Sequence, residues 1–217
     1  ANEVFEALSK GFSRYKDILD QSNVSSGPAL VDILDKLIRM DVVAKEAPIN
    51  DENNRKKSGY FISDNLSLFY YKYIFRNISR MNIMDSEVFY EKYMSEDFET
   101  KYVPKIFEDV CRQYLIRKNR MGCMDEIFEK IGKYYYDDPV ERKNGEFDIV
   151  TLDDKGYIFY EAKFRKEPVT EQMIEKEIVQ VKQTGLECYK YGFFSKSGFA
   201  CEERENRSLI ELKELYR

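Results

Sequence analysis

The sequence contains no histidine and no tryptophan. Without histidine there can be no Ser–His–Asp triad, no Cys–His dyad, no imidazole general base and no zinc site with a histidine ligand. Any catalysis must therefore depend on carboxylates, lysines, tyrosines, cysteines or metal ions held by oxygen ligands. This absence excludes many enzyme classes but leaves carboxylate–metal chemistry open.

Several other features are scarce. No apolar run approaches the roughly 18 residues needed to cross a bilayer, and the first residues lack the basic and apolar regions of a signal peptide. The four cysteines contain no Cys-x-x-Cys pair, which argues against a zinc knuckle or a thioredoxin-type site. We therefore predict a cytoplasmic protein with reduced thiols. Because the chain has no initiator methionine, we interpret it as a fragment or a processed form.

The composition supports folded cores. Of the 217 residues, 43% are hydrophobic and 35% are charged, with a formal net charge of −5. A chain of this length makes one large domain or two small ones. With only 5 prolines and 10 glycines, collagen-like segments and long flexible linkers are excluded.

The first part of the chain predicts three helices followed by two short strands. Helical patterns cover residues 4–8, 15–19 and the segment after Pro28, where apolar residues recur with a period of 3.6. Strands are predicted at 42–44 and 60–62, and Ser13 and Asp64 are predicted helix caps. This order is typical of a winged helix-turn-helix. An aromatic helix, 66–75, follows it.

The second part predicts a mixed α/β domain. Pro104 opens a helix over 105–117, and another helix covers 169–184. Strands are expected at 131–136, 146–152, 157–164, 189–194 and 208–212, and the turn Asp153-Asp154-Lys155-Gly156 joins the second and third of these. The predicted domains are 1–80, a winged helix-turn-helix with its aromatic helix, and 81–217.

The hairpin predicts a cluster of charged side chains. A turn symmetric about Asp154 and Lys155 places Asp148 opposite Glu161 and Glu146 opposite Lys163, and directly paired residues share a sheet face. Two carboxylates can hold Mg²⁺ through hard oxygen ligands, and a nearby lysine can orient or deprotonate a water molecule. This arrangement hydrolyses phosphodiesters without histidine. The alternative is a cross-strand ion-pair ladder on a solvated face.

Three segments, 107–111, 145–150 and 160–164, resemble motifs of the PD-(D/E)XK nuclease superfamily. More closely, the chain is similar to the C-terminal region of a family of archaeal and bacterial AAA-type ATPases, in which a winged helix precedes a nuclease-like domain. Segments 59–65 and 68–75 resemble the strand and aromatic helix of that region. The resemblance implies a winged helix-turn-helix followed by a restriction-endonuclease-like α/β domain.

The resemblance also implies roles for individual residues. Asp148 and Glu161 would bind Mg²⁺ or Mn²⁺ from the hairpin, Glu108 would complete the metal site from a helix, and Lys163 would be the catalytic lysine. Gln180 would be an auxiliary polar residue near the scissile phosphate. For Glu108 the alternative is a solvated helix residue.

The sequence departs from the superfamily pattern at two positions. Phe147 replaces the proline of the Pro-Asp pair, and Glu146 adds a negative charge near Lys163. No phosphate-binding loop of the form G-x-x-x-x-G-K-[ST] occurs, so the chain has no nucleotide site of that kind. The resemblance therefore places the ATPase domain, a predicted partner, elsewhere in the parent protein.

Charge gives limited support for nucleic-acid binding. Residues 1–95 have a net charge of −1 and the remainder −4, and the predicted recognition helix exposes Asp32 and Asp35, which would repel phosphates. A basic hairpin tip, Arg55-Lys56-Lys57, is the candidate nucleic-acid contact; the alternative is a solvated loop. A winged helix that packs on an ATPase domain explains the acidic helix better.

Three functions follow from these observations. The leading hypothesis is a metal-dependent nuclease-like module behind a winged helix. The second is a non-catalytic regulatory and interaction module in which the carboxylates form a structural network. The third is a transcription regulator, which requires DNA binding that weakens steeply with salt.

Overall fold

The structure is a computed structural model, and it describes residues 1–54, 56–138 and 143–216. The chain divides into two compact units, one formed by residues 1–47 and 51–98 and the other by residues 48–50 and 99–217. The predicted mixed α/β class is confirmed. The predicted domains, 1–80 and 81–217, stay a prediction, because compactness alone does not show that a segment folds independently.

The first unit begins with three helices and a two-stranded hairpin, in the order expected from the sequence. The helices are α1 (Asn2–Ser9), α2 (Tyr15–Gln21) and α3 (Gly27–Arg39), and the antiparallel strands are β1 (Val43–Glu46) and β2 (Gly59–Ile62). Ser26 caps α3 by accepting a hydrogen bond from the backbone of Ala29. The apolar face of α3 is buried in the core of this unit with α1 and both strands.

The predicted caps and the aromatic helix have mixed outcomes. Asp64 caps α4 (Asn65–Phe69) by accepting from the Ser67 amide at 2.7 Å, as predicted. The cap predicted at Ser13 is wrong, because α2 begins after Arg14, which makes no side-chain cap. The expected continuous α-helix over 66–75 is also wrong, since a π-helical turn, Tyr70–Ile74, follows α4. Rings packed around this turn, including Tyr73 against Phe98 at 6.0 Å, accompany the wider helix.

Four further helices are assigned after the aromatic segment. They are α5 (Ile78–Met81), α6 (Ser86–Tyr93), α7 (Ser95–Asp97) and α8 (Val103–Arg120), and a second π-helical turn, Phe98–Tyr102, precedes α8. Helix α8 contains the helix predicted over 105–117. Helices α5 and α7 are a single turn long, too short to show a hydrophobic period.

The second unit contains a five-stranded sheet. Its strands are β3 (Lys130–Asp138), β4 (Lys143–Asp153), β5 (Gly156–Lys163), β6 (Cys188–Ser195) and β7 (Arg207–Glu211), and they lie in this order. The first three are antiparallel, whereas β5, β6 and β7 are parallel. Helix α9 (Glu171–Gln183) is the crossover that parallel β5 and β6 require.

Helices α8 and α9 pack against different sets of sheet residues. Apolar side chains of α8 share one core cluster with Ile149, Ile158 and Tyr160, and those of α9 share another with Val150 and Phe159. Because successive residues of a strand point to opposite faces, these clusters place α8 and α9 on opposite faces of the sheet. The segment after the last strand begins with a 3₁₀ turn, Leu212–Glu214.

The register predicted for the hairpin is confirmed from the turn as far as Ile149 and Tyr160, but the predicted pairs Asp148–Glu161 and Glu146–Lys163 lie beyond the paired residues of these two strands. Strands β4 and β5 pair from Asp153–Gly156 to Ile149–Tyr160, and the Asp153 carboxylate accepts hydrogen bonds from the amides of Lys155 and Gly156 in the turn. Gly156 has a φ of +129°, which a glycine adopts without strain. The turn chemistry therefore determines which residues of the two strands pair next to the turn.

The other side of β4 contains an irregularity that the hairpin did not indicate. Between the pairs Gly132–Val150 and Tyr134–Phe147, β4 advances three residues while β3 advances two. One extra residue is therefore accommodated next to Asp148, as in a β-bulge, which bends a strand and redirects its side chains.

Among the described residues, no helix is both long and apolar enough to span a membrane.

Candidate functional site

Five carboxylates and three lysines of the second unit form two groups of ion pairs, one around Lys105 and Lys133 and the other around Lys163, which we together call the acid–lysine cluster. Helix α8 and strand β5 each supply one acid and one lysine, β4 supplies two acids, β3 supplies one lysine and α9 supplies one acid. Its members are Lys105, Glu108, Lys133, Glu146, Asp148, Glu161, Lys163 and Glu177. Four of them, Glu108, Asp148, Glu161 and Lys163, are the residues that the motifs singled out.

Lys105 joins the helix acid to the strand acid. Its Nζ lies 2.7 Å from Oε2 of Glu108, one helical turn along α8, and 3.3 Å from Oδ1 of Asp148 on β4. This lysine is 49% exposed and Asp148 is 41% exposed, so the pair is open to solvent. Two carboxylates distant in sequence therefore converge on one cation.

Lys133 holds the second side of Asp148. Its Nζ lies 3.3 Å from the same Oδ1 atom and also forms an ion pair with Glu146. Glu146 is therefore paired with Lys133, whereas the sequence led us to expect its charge beside Lys163.

Lys163 bridges a strand and a helix. Its Nζ lies 2.8 Å from Oε1 of Glu161 and 2.7 Å from Oε1 of Glu177 on α9. The expectation that Glu146, Asp148, Glu161 and Lys163 all project from one face holds only in part. Lys163 reaches α9, whereas Asp148 is bonded to α8 on the opposite face, and the irregularity in β4 accounts for the difference.

The two hairpin carboxylates differ in their acidity. Burial raises the pKa of Glu161, and Lys163 offsets only part of that effect, so the net shift is upward. Burial also acts to raise the pKa of Asp148, but Lys105 and Lys133 together outweigh it and the net shift is downward. Asp148 and Glu161 also repel each other electrostatically, which places them in one field. Environments that separate two carboxylates in this way are typical of catalytic sites.

Burial and neighbouring charges also shift the pKa of Glu108 and of Lys163. Burial raises the pKa of Glu108 despite Lys105. Burial acts to lower the pKa of Lys163, but Glu161 and Glu177 outweigh it and the net shift is upward. Lys163 is therefore a protonated, hydrogen-bonded ammonium group at neutral pH.

The cluster carries more negative than positive charge. Its five carboxylates face three ammonium groups, an excess of two negative charges. Within the part of the chain that the structure describes, however, no three Asp, Glu or Cys side chains are arranged to hold a metal ion. Lys105 and Lys133 stand between the carboxylates, so a divalent ion would have to displace at least one of them.

Three members of the cluster were not anticipated from the sequence. The Lys105–Glu108 spacing of three residues is a readable signal for a helical ion pair, but its extension to Asp148 depends on tertiary packing. Glu177 contacts Lys163 from α9, and the role predicted for Gln180 near the scissile phosphate stays a prediction. Gln180 lies one turn further along that helix with an exposed side chain.

The hairpin tip gives little positive charge. Arg55 lies outside the described residues. Lys56 is exposed, and Lys57 forms an ion pair with Asp51 at 3.0 Å, which offsets its charge. On α3, Lys36 similarly pairs with Asp32 at 2.7 Å. The proposed nucleic-acid contact at Arg55, Lys56 and Lys57 stays a prediction.

Comparisons with known proteins place the chain among archaeal and bacterial sequences. The model of a family described as "Archaea bacterial proteins of unknown function" (DUF234) matches residues 70–179. An uncharacterized protein of Methanocaldococcus jannaschii is 28% identical over 181 residues, which cover 82% of this chain and 39% of that protein. The chain thus spans well under half the length of this relative. No solved structure matches the chain.

Proposed function

Because the chain belongs to the DUF234 family of archaeal and bacterial proteins of unknown function, we propose a function from its acid–lysine cluster. The proposed activity is Mg²⁺- or Mn²⁺-dependent hydrolysis of nucleic-acid phosphodiesters by a nuclease-like module. The observation that carries this proposal is that Lys105 brings Glu108 and Asp148 together, while Asp148 acts electrostatically on Glu161, which is paired with Lys163.

The donor set suits a hard divalent cation. All the candidate ligands, Glu108, Asp148 and Glu161, offer carboxylate oxygens, which Mg²⁺ and Mn²⁺ prefer. The excess of two negative charges in the cluster equals the charge of one such ion. When bound, the ion would polarise the phosphodiester and offset the charge that develops in the transition state.

The lysine between the acids does not preclude ion binding. Lys105 is 49% exposed, and an ion pair of such exposure contributes about 1 kcal/mol or less. A divalent cation has twice its charge, and the flexible side chain of Lys105 can turn into solvent. Glu108 and Asp148, which already converge on one ammonium group, would then face the ion.

Lys163 and Asp148 have separate tasks in the proposed reaction. The Lys163 ammonium group is fixed by two carboxylates, so it can donate hydrogen bonds to a phosphoryl oxygen or orient a water molecule without searching for its position. Asp148, whose pKa is lowered by its two lysines, remains an anion at neutral pH and is ready to accept a cation.

The architecture supports the finer assignment, which remains a proposal. Three helices followed by a hairpin support a winged helix-turn-helix in the first unit. In the second, a mixed sheet flanked by α8 and α9, with acids on adjacent strands, supports a PD-(D/E)XK nuclease-like domain. The resemblance to AAA-type ATPases, together with the greater length of the archaeal relative, supports an ATPase domain of the parent protein as the partner.

A second candidate function has its own observation. Every carboxylate of the acid–lysine cluster is already paired with a lysine, and no three described acids are arranged for a metal. This geometry favours a non-catalytic regulatory and interaction module in which the cluster only stabilises the fold. The two candidates differ in whether the carboxylates bind a divalent ion.

Cleavage assays separate the two candidates. Labelled single- and double-stranded DNA and RNA are incubated with Mn²⁺ or Mg²⁺ and either the wild type or the Asp148→Asn variant. We expect cleavage by the wild type and a loss of at least about a hundredfold in the variant, because a metal ligand is removed. Asp109→Asn, an exposed acid next to Glu108, is the matched control and should retain activity. If neither the wild type nor the control cleaves any substrate, the non-catalytic function stands.

A further inference from the structure

An open cleft lies beside the acid–lysine cluster, at the carboxyl ends of β6 and β7. Its volume is about 460 Å³, and its lining includes Lys196, Ser197, Gly198, Glu211 and Lys213. The cleft adjoins the backbone of the proposed catalytic lysine, because the amide of Lys196 donates a hydrogen bond to the carbonyl of Lys163 at 3.2 Å. Carboxyl ends of parallel strands are a common location for ligand sites.

Lys196 presents an uncompensated positive charge to this cleft. It is exposed, and no carboxylate pairs with it within residues 1–54, 56–138 and 143–216. Its Nζ lies 4.3 Å from the centre of the Phe164 ring, which holds the side chain in place by a cation–π contact. In the acid–lysine cluster, by contrast, every lysine is already paired with carboxylates.

The loop after Lys196 adds backbone donors. No acceptor is found in the described residues for the amides of Ser197 and Gly198, both of which line the cleft. The loop itself is held in place, because the Ser195 hydroxyl donates to the Gly198 carbonyl at 2.8 Å and the Ser197 hydroxyl donates to the Arg165 carbonyl at 2.6 Å. Gly198 has a φ of +78°, which favours glycine. Free amides in a fixed loop are suited to bind anions.

The one acid in the lining is already engaged. Glu211 forms an ion pair with Lys213 at 2.6 Å, and its side chain also caps the 3₁₀ turn. Its charge is therefore offset within the cleft, and Lys196 leaves the lining with a net positive charge. The combination of an ammonium group and two free amides fits a phosphate group better than a neutral ligand.

We propose that this cleft binds a backbone phosphate of a nucleic-acid strand, next to the phosphodiester that the acid–lysine cluster hydrolyses. The assignment of the strand rests on the proposed function, since the cleft alone specifies only a phosphate group. Lys196 is then a substrate-positioning residue. It supplies a phosphate contact that the first unit, with Lys57 paired to Asp51, does not readily offer.

Binding measured without catalysis tests the proposal. Fluorescence anisotropy with labelled single-stranded DNA and RNA, in EDTA and at several salt concentrations, compares the wild type with Lys196→Gln. We expect the variant to bind about three- to tenfold more weakly and its salt slope to fall by about one. The matched control is Lys118→Gln, because Lys118 also has a cation–π contact, 5.5 Å from Tyr114, and no described acidic partner. It should change affinity less than twofold.

Two outcomes would overturn the proposal that this cleft binds a nucleic-acid phosphate. One is equal oligonucleotide affinity in wild type and Lys196→Gln; the other is a wild type that binds inorganic phosphate in calorimetry but no oligonucleotide. Lys213→Gln, which leaves Glu211 unpaired in the cleft, should weaken binding as well, and unchanged affinity would count against the proposal. Failure of the catalytic proposal is distinguishable, because Lys196-dependent binding without any cleavage would retain the cleft and remove the nuclease.

Discussion

Lys105 and Asp148 lie 43 positions apart in the sequence, and their ammonium and carboxylate groups are 3.3 Å apart in the structure. The same ammonium lies 2.7 Å from Glu108. It therefore occupies the place where two of the candidate metal ligands converge. Competition between this lysine and a divalent ion becomes the central physical question about the cluster.

Removing the competing lysine should strengthen metal binding. In Lys105→Met the apolar stem is kept but the charge is lost, so Glu108 no longer has to give up an ion pair and Asp148 has only the one with Lys133. An exposed pair of about 1 kcal/mol corresponds to about a fivefold increase in Mn²⁺ affinity. Isothermal titration with Mn²⁺ measures the change.

The control for this prediction lies on the same helix. Lys118→Met removes a lysine of α8 that has no described acidic partner, so its Mn²⁺ affinity should equal that of the wild type. A Lys105→Met variant that loses stability without gaining Mn²⁺ affinity would instead indicate a structural ion-pair network.

Removing the carboxylate of Glu171 on α9 should destabilise the folded protein, because the buried Arg207 would lose its closest ion-pair partner. The Arg207 side chain is 2% exposed, and its two terminal nitrogens lie 2.9 and 2.8 Å from the two carboxylate oxygens of Glu171. Glu171→Gln leaves the buried Arg207 guanidinium with only its longer ion pair to Glu175 and its hydrogen bond to the Glu202 carbonyl, and should lower the free energy of unfolding more than the loss of Glu175 does. Urea denaturation measures this loss.

A neighbouring acid provides the comparison. Glu175 lies on the same helix but 3.9 Å from Arg207, and it is 49% exposed. Glu175→Gln should therefore cost less than about 1 kcal/mol. Equal losses of unfolding free energy in the Glu171 and Glu175 variants would show that the short ion pair stabilises the fold no more than the long one.

Protonation of Glu6 at low pH should destabilise the first unit. The Glu6 carboxylate accepts hydrogen bonds from Arg76 Nε at 2.8 Å and from Lys10 at 2.7 Å. The hydrogen bond from Arg76 is the main cause that lowers the pKa of Glu6 below its usual value of 4.5. Since the folded-state pKa is the lower one, this stabilisation is complete above about pH 4.5 and is lost as the pH falls through the folded-state value.

A charge-neutral variant isolates this contribution. Glu6→Gln should lower the free energy of unfolding at pH 7 by about 1–3 kcal/mol, and the difference from the wild type should shrink below pH 4.5. Asp20→Asn, an exposed acid without a described partner, is the control. A Glu6→Gln deficit that stays constant from pH 7 to pH 3 would contradict the assignment.

The fold was predictable where local chemistry decides the structure. The Asp153–Gly156 turn fixed the pairing of β4 with β5, because its side-chain hydrogen bonds and a glycine with positive φ leave one register. The mixed α/β class followed from the change of hydrophobic period along the chain. The π-helical turn at Tyr70–Ile74 was not predictable, because the same residues favour an ordinary α-helix and tertiary ring packing decides.

The candidate site was predictable only in its acids. Glu108, Asp148, Glu161 and Lys163 stand in recognisable segments, whereas Lys105 and Lys133 become their partners only through the packing of α8 and the pairing of β3 with β4. The irregularity in β4 appears only when its residues are paired with those of β3, so no pattern within either strand alone predicts it. The sequence therefore indicated the negative charges and not the lysines that balance them.

Direct Mn²⁺ titration of the wild type against Asp148→Asn tests the central claim, that the acid–lysine cluster binds a divalent cation. Calorimetry should detect Mn²⁺ binding in the wild type and in the exposed-acid control Asp109→Asn, and at least a tenfold weaker affinity in Asp148→Asn. Melting temperatures should rise with Mn²⁺ in the same two proteins, because the ion binds only the folded state. Equal Mn²⁺ affinity in the wild type and Asp148→Asn, or no binding by either, would contradict the account.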